Sequence, residues 1–249
     1  ASAAPESARA EIDSVLLPVP AQPAVADTQR AGPRIGDPSR PAPRGGPLTV
    51  VVVDYHGAVR ERDVFSHAMP NLLDFVRRAT SITASLDWEI LPLYEERAQR
   101  ALLLYLTGHD AEVRLTPLEK QSLGEYLRRG GLLFAEAVVP GGTSGQPPAG
   151  GGVTGTPFDR QVKALVADPV VLGAAGKRWR SVPVSHPLYS NYFDFPDGPP
   201  LSASSFGNVA ELEMLEYRGR MAVLFSDLNL SWFWAQPDAQ GRDRPLQLG

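Results

Sequence analysis

The chain has 249 residues, 43% of them hydrophobic and 21% charged, with a formal net charge of −4. That length suits one large α/β domain or two small ones, and mild acidity with dispersed basic residues argues against a nucleic-acid partner. Cysteine is absent, which excludes a thiol nucleophile, a disulfide framework and a thiolate metal site. No window approaches the ~18 unbroken apolar residues that a membrane-spanning helix needs.

Residues 1–46 hold eight prolines and only one small apolar patch, Ile12, Val15, Leu16 and Leu17. Such a composition buries no core and favours an extended Ala/Pro-rich arm. A free linker and an arm held by a partner are both compatible with it. The start at Ala1-Ser2-Ala3 reads as processing, with a signal peptide removed upstream and a trimmed chain as the alternative. The expected location is therefore periplasmic or otherwise extracytoplasmic.

The remainder, 47–249, reads as a single α/β domain. LTVVVVDY from Leu48 is β-branched and unbroken, as a strand buried on both faces requires. Pro70 suits the first turn of a helix whose stripe is Leu72, Leu73, Phe75 and Val76, with Arg77 and Arg78 near its C-terminal end. Trp88 to Tyr94 reads as a short strand or edge segment, and Ala101 to Leu106 as a second buried strand. Thr116-Pro117-Leu118-Glu119 is a capping box with proline at the first helical position. Leu118, Leu123, Tyr126 and Leu127 give that helix its expected buried face, and Gly130 its left-handed end. Leu132 to Ala137 is the third core strand. Residues 140–157 form a long Gly-rich loop, and Phe158 to Val166 a helix. Ser185 to Phe195 is aromatic and irregular. Glu211 to Tyr217 and Met221 to Phe225 flank Arg218-Gly219 as a hairpin.

A strand, loop, capped helix, Gly-Gly turn and second strand in succession imply a parallel sheet covered by helices. The same stretch, LYLTGHDAEVRLTPLEKQSLGEYLRRGGLLFAEA, resembles the core signature of an uncharacterised bacterial family, the domain of unknown function numbered 4159. MPNLLDFVRRAT (Met69 to Thr80) is similar to its first helix, and Phe158-Asp159-Arg160, Ser185-His186-Pro187-Leu188-Tyr189, Tyr217 to Val223 and Ser226-Asp227-Leu228 are similar to its later pieces, in its order. The resemblance covers roughly Leu48 to Trp234. It implies a flavodoxin-like three-layer sandwich with a mostly parallel central sheet, like that of class I glutamine amidotransferases, and no established reaction. Two departures stand out: the connection after the Gly-Gly strand is long and cysteine-free here, and the Pro-rich arm lies outside the resemblance. Amidotransferases place their nucleophilic cysteine at such an elbow, so that chemistry is closed to this chain.

In doubly wound sheets ligands sit outside the carboxyl ends of the strands. Those ends offer Asp54-Tyr55-His56, then Thr107-Gly108-His109-Asp110, then Glu136, with His186 from the irregular segment. His56, His109 and Glu136 are the candidate catalytic set for a hydrolase or amidotransferase-like enzyme, or the lining of a small-ligand-binding module. Without HxH or HxxxH spacing, the alternative is that His109 and Asp110 brace the turn after the strand. Gly142-Thr143-Ser144-Gly145 lacks the GxSxG pattern of a nucleophile elbow, and Gly150-Gly151-Gly152 is followed by no GK[ST]. Tyr189, Tyr192, Phe193 and Phe195 suit either sugar stacking or a satellite core.

The preferred expectation is a non-catalytic accessory or structural subunit. It would dock through its arm onto a larger extracytoplasmic or membrane-associated assembly, of which an energy-transducing complex is one example. The expected partner-binding residues are Leu16, Leu17, Pro18, Pro20, Arg30 and Arg34 in the arm, with Trp232 and Trp234 near the C-terminus, for which burial against the last strand is an equal alternative. No cofactor, metal or nucleic acid is expected, and membrane contact only through partner proteins.

Overall fold

The computed structural model describes residues 48–56, 66–82, 85–108, 113–138, 157–174, 177–199, 212–236 and 243–249. All of them fall within one compact unit. The Pro-rich arm, its boundary at residue 46 and the Gly-rich loop up to residue 156 lie outside the described residues.

Seven strands form one sheet in the order β2-β1-β3-β4-β7-β6-β5. They are β1 (Leu48–Val53), β2 (Leu86–Leu91), β3 (Leu103–Gly108), β4 (Leu133–Ala137), β5 (Trp179–Ser181), β6 (Glu213–Tyr217) and β7 (Arg220–Ser226). The β2-β1-β3-β4-β7 run is parallel, while β6 pairs antiparallel with both β7 and β5. The helices are α1 (Ala68–Ala79), α2 (Glu96–Gln99), α3 (Pro117–Arg129), α4 (Pro157–Ala167), α5 (Leu230–Ala235) and α6 (Asp243–Leu248).

The alternation of side chains along each strand splits the core into two layers. Val50, Val52, Tyr105, Phe134 and Leu224 face α1, α5 and α6. Val51, Val53, Leu104, Leu106, Ala135, Val223 and Phe225 face α3 and α4. This double coverage explains the unbroken apolar runs of β1, β3 and β4. The sheet margins differ in kind: β2 carries the carboxylates of Asp87 and Glu89, and β5 is only three residues long. Both features discourage further strand pairing.

The punctuation of α3 follows the sequence. The Glu119 N–H donates to Thr116 Oγ1 at 3.3 Å, and the Thr116 N–H donates back to Glu119 Oε2 at 2.7 Å. Gly130 closes the helix at φ 122°. Arg218 (φ 54°) and Gly219 (φ 76°) both take positive φ, as a tight hairpin turn demands. Leu118 corrects the expected buried face of α3. It is 57% exposed, because as the second helical residue it points past the strand layer, whereas Leu123, Tyr126 and Leu127 are buried.

Candidate functional site

The chain order reverses between β1 and β3: β1 leads outward to β2, whereas β3 leads to β4 on the other side. A crevice for ligands is expected outside the carboxyl ends of these two strands. Among the described residues, two aromatic side chains pack against the end of β3. The Tyr55 hydroxyl donates to the Thr107 carbonyl at 2.8 Å, and Tyr55 is buried. A Cβ added at Gly108 would lie 2.4 Å from Phe158 Cδ2 and 2.7 Å from the Tyr55 hydroxyl oxygen. Only glycine at position 108 lets the two rings close over the strand end.

Of the three candidate catalytic residues only His56 and Glu136 are described, and these two are not brought together. His56 is exposed just past β1 and forms an isolated antiparallel bridge with Arg114. Glu136 is wholly buried in β4, and β3 intervenes, so strand spacing alone separates the two by about 10 Å. His109 lies outside the described residues. His186 takes a local role, its Nδ1 accepting from the Leu188 N–H at 3.1 Å to cap a 3₁₀ turn. Among the described residues no group of three His, Asp or Glu side chains is placed to hold a metal ion.

Glu136 has a surrounding of its own. It shares a strand face with Phe134, beside an aromatic cluster in which Tyr105 lies 5.4 Å from Phe134 and 6.1 Å from Trp234. Its Oε2 accepts from the Tyr105 hydroxyl at 2.5 Å. Both carboxyl oxygens face the Ser231 N–H, at 3.2 and 3.3 Å. Burial pushes the carboxyl up to about 7, and the bonds from Tyr105 and Ser231 hold it from rising further. Burial and the neighbouring Glu136 drive the Tyr105 phenol well above its ordinary range. A carboxyl titrating near neutrality has the proton affinity of a general acid or base. This one has no open face, and its contacts fasten α5 to β4.

A second polar group, on the opposite face of the same sheet end, escaped sequence reasoning. Lys163 Nζ sits 2.8 Å from Asp159 Oδ1 and 2.7 Å from Glu213 Oε2. Burial opposes the ammonium charge, but the two carboxylates outweigh it and raise the Lys163 pKa. Asp227, buried just after β7, is pushed up to about 7 by burial and by the charges of Asp159 and Glu213. The signal for this group was an acid abutting an apolar run, at Phe158-Asp159 and Ser226-Asp227. Its assembly depends on the β6–β7 register and on α4, which no local pattern encodes.

The expected docking residues fare unequally. Trp232 and Trp234, expected near the surface as an interface, are 6% and 0% exposed. Trp234 Nε1 donates to the Pro245 carbonyl at 2.9 Å, and Asn71 Nδ2 donates to the Trp234 carbonyl at 2.8 Å. These rings are core because α1 and α6 close over them. Leu16, Leu17, Pro18, Pro20, Arg30 and Arg34 lie outside the described residues. Tyr189 and Phe195 are buried in the α1-side core and Phe193 packs on Phe75 at 6.2 Å, so most of the aromatic segment is packing. A cleft of about 170 Å³ lies away from the strand ends, between α4 and the β5–β6 strands, and is lined by Val166, Trp179 and Leu215 with Lys163 and Lys177.

A family model described as Domain of unknown function (DUF4159) matches residues 49–247. No curated protein matches the chain significantly.

Proposed function

The chain belongs to the family of that domain of unknown function, and from this premise we propose that it is a non-catalytic accessory subunit of a larger extracytoplasmic or membrane-associated assembly. One observation carries this reading: side chains that an enzyme of this architecture would turn toward substrate are used here in internal contacts. Tyr55 and Phe158 fill the strand end, and Glu136 is spent on Tyr105 and Ser231. In this reading the fold is flavodoxin-like, similar to class I glutamine amidotransferases, and is retained as a scaffold without the cysteine of their elbow. The β2-β1-β3-β4 parallel order supports that likeness. The Pro-rich arm is the docking element, through Leu16, Leu17 and the flanking prolines and arginines.

The test compares the full chain with a chain lacking residues 1–46, each mixed with detergent extract from its own source and run on a sizing column. The reading predicts the same melting temperature for both and co-elution with a large particle for the full chain alone. Co-elution of the shortened chain would refute the arm's docking role. A hydrolytic reading has one point in its favour, the near-neutral titration of Glu136. It predicts turnover that Glu136→Gln abolishes without loss of fold.

A further inference from the structure

The opposite end of the sheet, where the strands begin, has a different character. Helices α1, α3 and α4 run antiparallel to the strands they follow, so their C-terminal turns share this end with the starts of β1, β3, β4 and β7. Direct contacts tie the arginines to it. Arg77 donates to the Leu86 carbonyl at the start of β2, and Arg128 to the Val170 carbonyl at 2.6 Å. Arg129 donates to Gln99 Oε1, and Arg220 to the Leu127 and Gly131 carbonyls. Arg218 occupies the exposed β6–β7 turn, its guanidinium 5.1 Å from the centre of the Tyr217 ring.

Every acceptor in these bonds is neutral, so none of them pairs these guanidinium groups with a carboxylate. Other cations meet carboxylates: Arg97–Glu89 and, toward this same end, Arg100–Glu96, Lys120–Asp168 and Arg180–Glu216. At this end Asp74 pairs with Arg78, and Asp87 and Glu125 stand exposed. Helix dipoles explain part of the pattern. A C-terminus presents only about half a negative charge, whereas α3 ends in two arginines and the hairpin turn adds Arg218 where no helix ends. Among the described residues, Arg77, Arg128, Arg129, Arg218 and Arg220, none paired with a carboxylate, outnumber the exposed Asp87 and Glu125 at this end.

Apolar side chains stand among these cations. Ile82, just after α1, is 45% exposed, Leu102, just before β3, 51%, and Val170, beside Arg128, 47%. Tyr192 is 39% exposed, with its hydroxyl donating to the Ala79 carbonyl at the end of α1. They stand singly on separate connections. A protein interface concentrates its energy in a contiguous, desolvated centre. A lipid headgroup layer accepts scattered apolar tips and an aromatic hydroxyl between cations.

We propose that the amino-terminal end of the sheet docks directly on an anionic phospholipid surface, with Arg77, Arg128, Arg129 and Arg218 on the headgroups and Ile82 and Leu102 in the interface. This contact is independent of the arm and goes beyond the subunit reading, in which membrane contact comes only through partners. Each arginine near a charged leaflet contributes measurably, and salt screens the contribution.

The experiment is co-sedimentation of the full chain with vesicles of phosphatidylcholine alone and of phosphatidylcholine mixed equally with phosphatidylglycerol. Binding to the mixed vesicles only, weakening as salt rises, is expected. Arg129→Glu/Arg218→Glu should lower the partition coefficient about tenfold or more, with an unchanged circular dichroism spectrum. Arg114→Glu/Arg160→Glu, the same charge change at the other sheet end, should leave binding within about twofold. Four results would overturn the proposal: no binding to the mixed vesicles, equal binding to both kinds, undiminished binding by the Arg129/Arg218 variant, or capture by poly-glutamate without capture by vesicles. The third would assign the contact to the arm, and the last to an acidic protein.

Discussion

The two ends of the sheet use charge in opposite ways. At the carboxyl end, acids are taken out of water. Glu136 lies under an aromatic cluster, Asp227 is buried near Asp159 and Glu213, and both carboxyls titrate near 7 because burial disfavours their ionised forms. At the amino end, Arg77, Arg129 and Arg218 stand exposed, and Arg77 and Arg128 bond to neutral carbonyls. Helix dipoles prepare this asymmetry, since helix N-termini favour anions and C-termini favour cations. Packing completes it. Tyr55 and Phe158 shut the end where α/β enzymes usually work, while Leu102 and Val170 leave the other end partly apolar and open. The carboxyl end buries its acids, and the amino end leaves its arginines exposed.

If the carboxyl end is structural, damage there should appear as lost stability. Phe158→Ala removes a fully buried ring and should cost about 3–5 kcal/mol in denaturant unfolding. A loss under 1 kcal/mol would mean that the strand end is loosely packed. For Glu136 the prediction is a pH profile. Its folded carboxyl holds a proton up to about pH 7, whereas an unfolded one loses it in the ordinary Glu range. The folded state thus binds the extra proton between these limits, and stability falls as pH rises through them, by about 3 kcal/mol for Glu136. Asp227 acts in the same direction. Glu136→Gln should remove roughly half of the slope, and an unaltered slope would show that Glu136 is solvated. Gly108→Ala should cost about 1–3 kcal/mol by pushing Phe158 or Tyr55 aside; a neutral result would reveal slack at the crevice. Smallest of all, Arg129→Glu/Arg218→Glu should shift stability by about 0.5 kcal/mol or less, because those guanidinium groups face outward. A large loss would make the amino end structural as well and dissolve the contrast.

Much of the sheet was legible because burial on both faces writes itself as uninterrupted apolar sequence. VVVV in β1, LLYL in β3 and LFA in β4 needed no tertiary information, and Thr116-Pro117-Leu118-Glu119 marked the start of α3 through purely local chemistry. Strand β5 was not legible: three residues, two of them exposed, leave no periodicity, and the strand exists only because β6 offers an edge. Helix α6 was missed for a related reason, since its anchors, Leu246 in the core and the Trp234 indole on the Pro245 carbonyl, are all tertiary. Trp232 and Trp234 show the limit of composition. Two tryptophans near a terminus suit an interface or a core equally well, and the contacts of α1 and α6 decide for the core. Glu136 was readable as an anomaly, a carboxylate inside an apolar strand, but its meaning was not. Tyr105 is 31 residues away and Ser231 is 95, and only the fold brings them to it.

Hydrogen–deuterium exchange of the full chain, with and without vesicles rich in phosphatidylglycerol, tests both ends in one measurement. Amides at 53–56, 106–108, 135–138 and 226–231 should be slow in the free chain and unchanged by vesicles. Protection should rise at 77–82, 100–103, 128–132, 168–172 and 217–221. Fast exchange in the first group, or vesicle protection confined to it, would contradict the division of the molecule into a sealed end and an offered one.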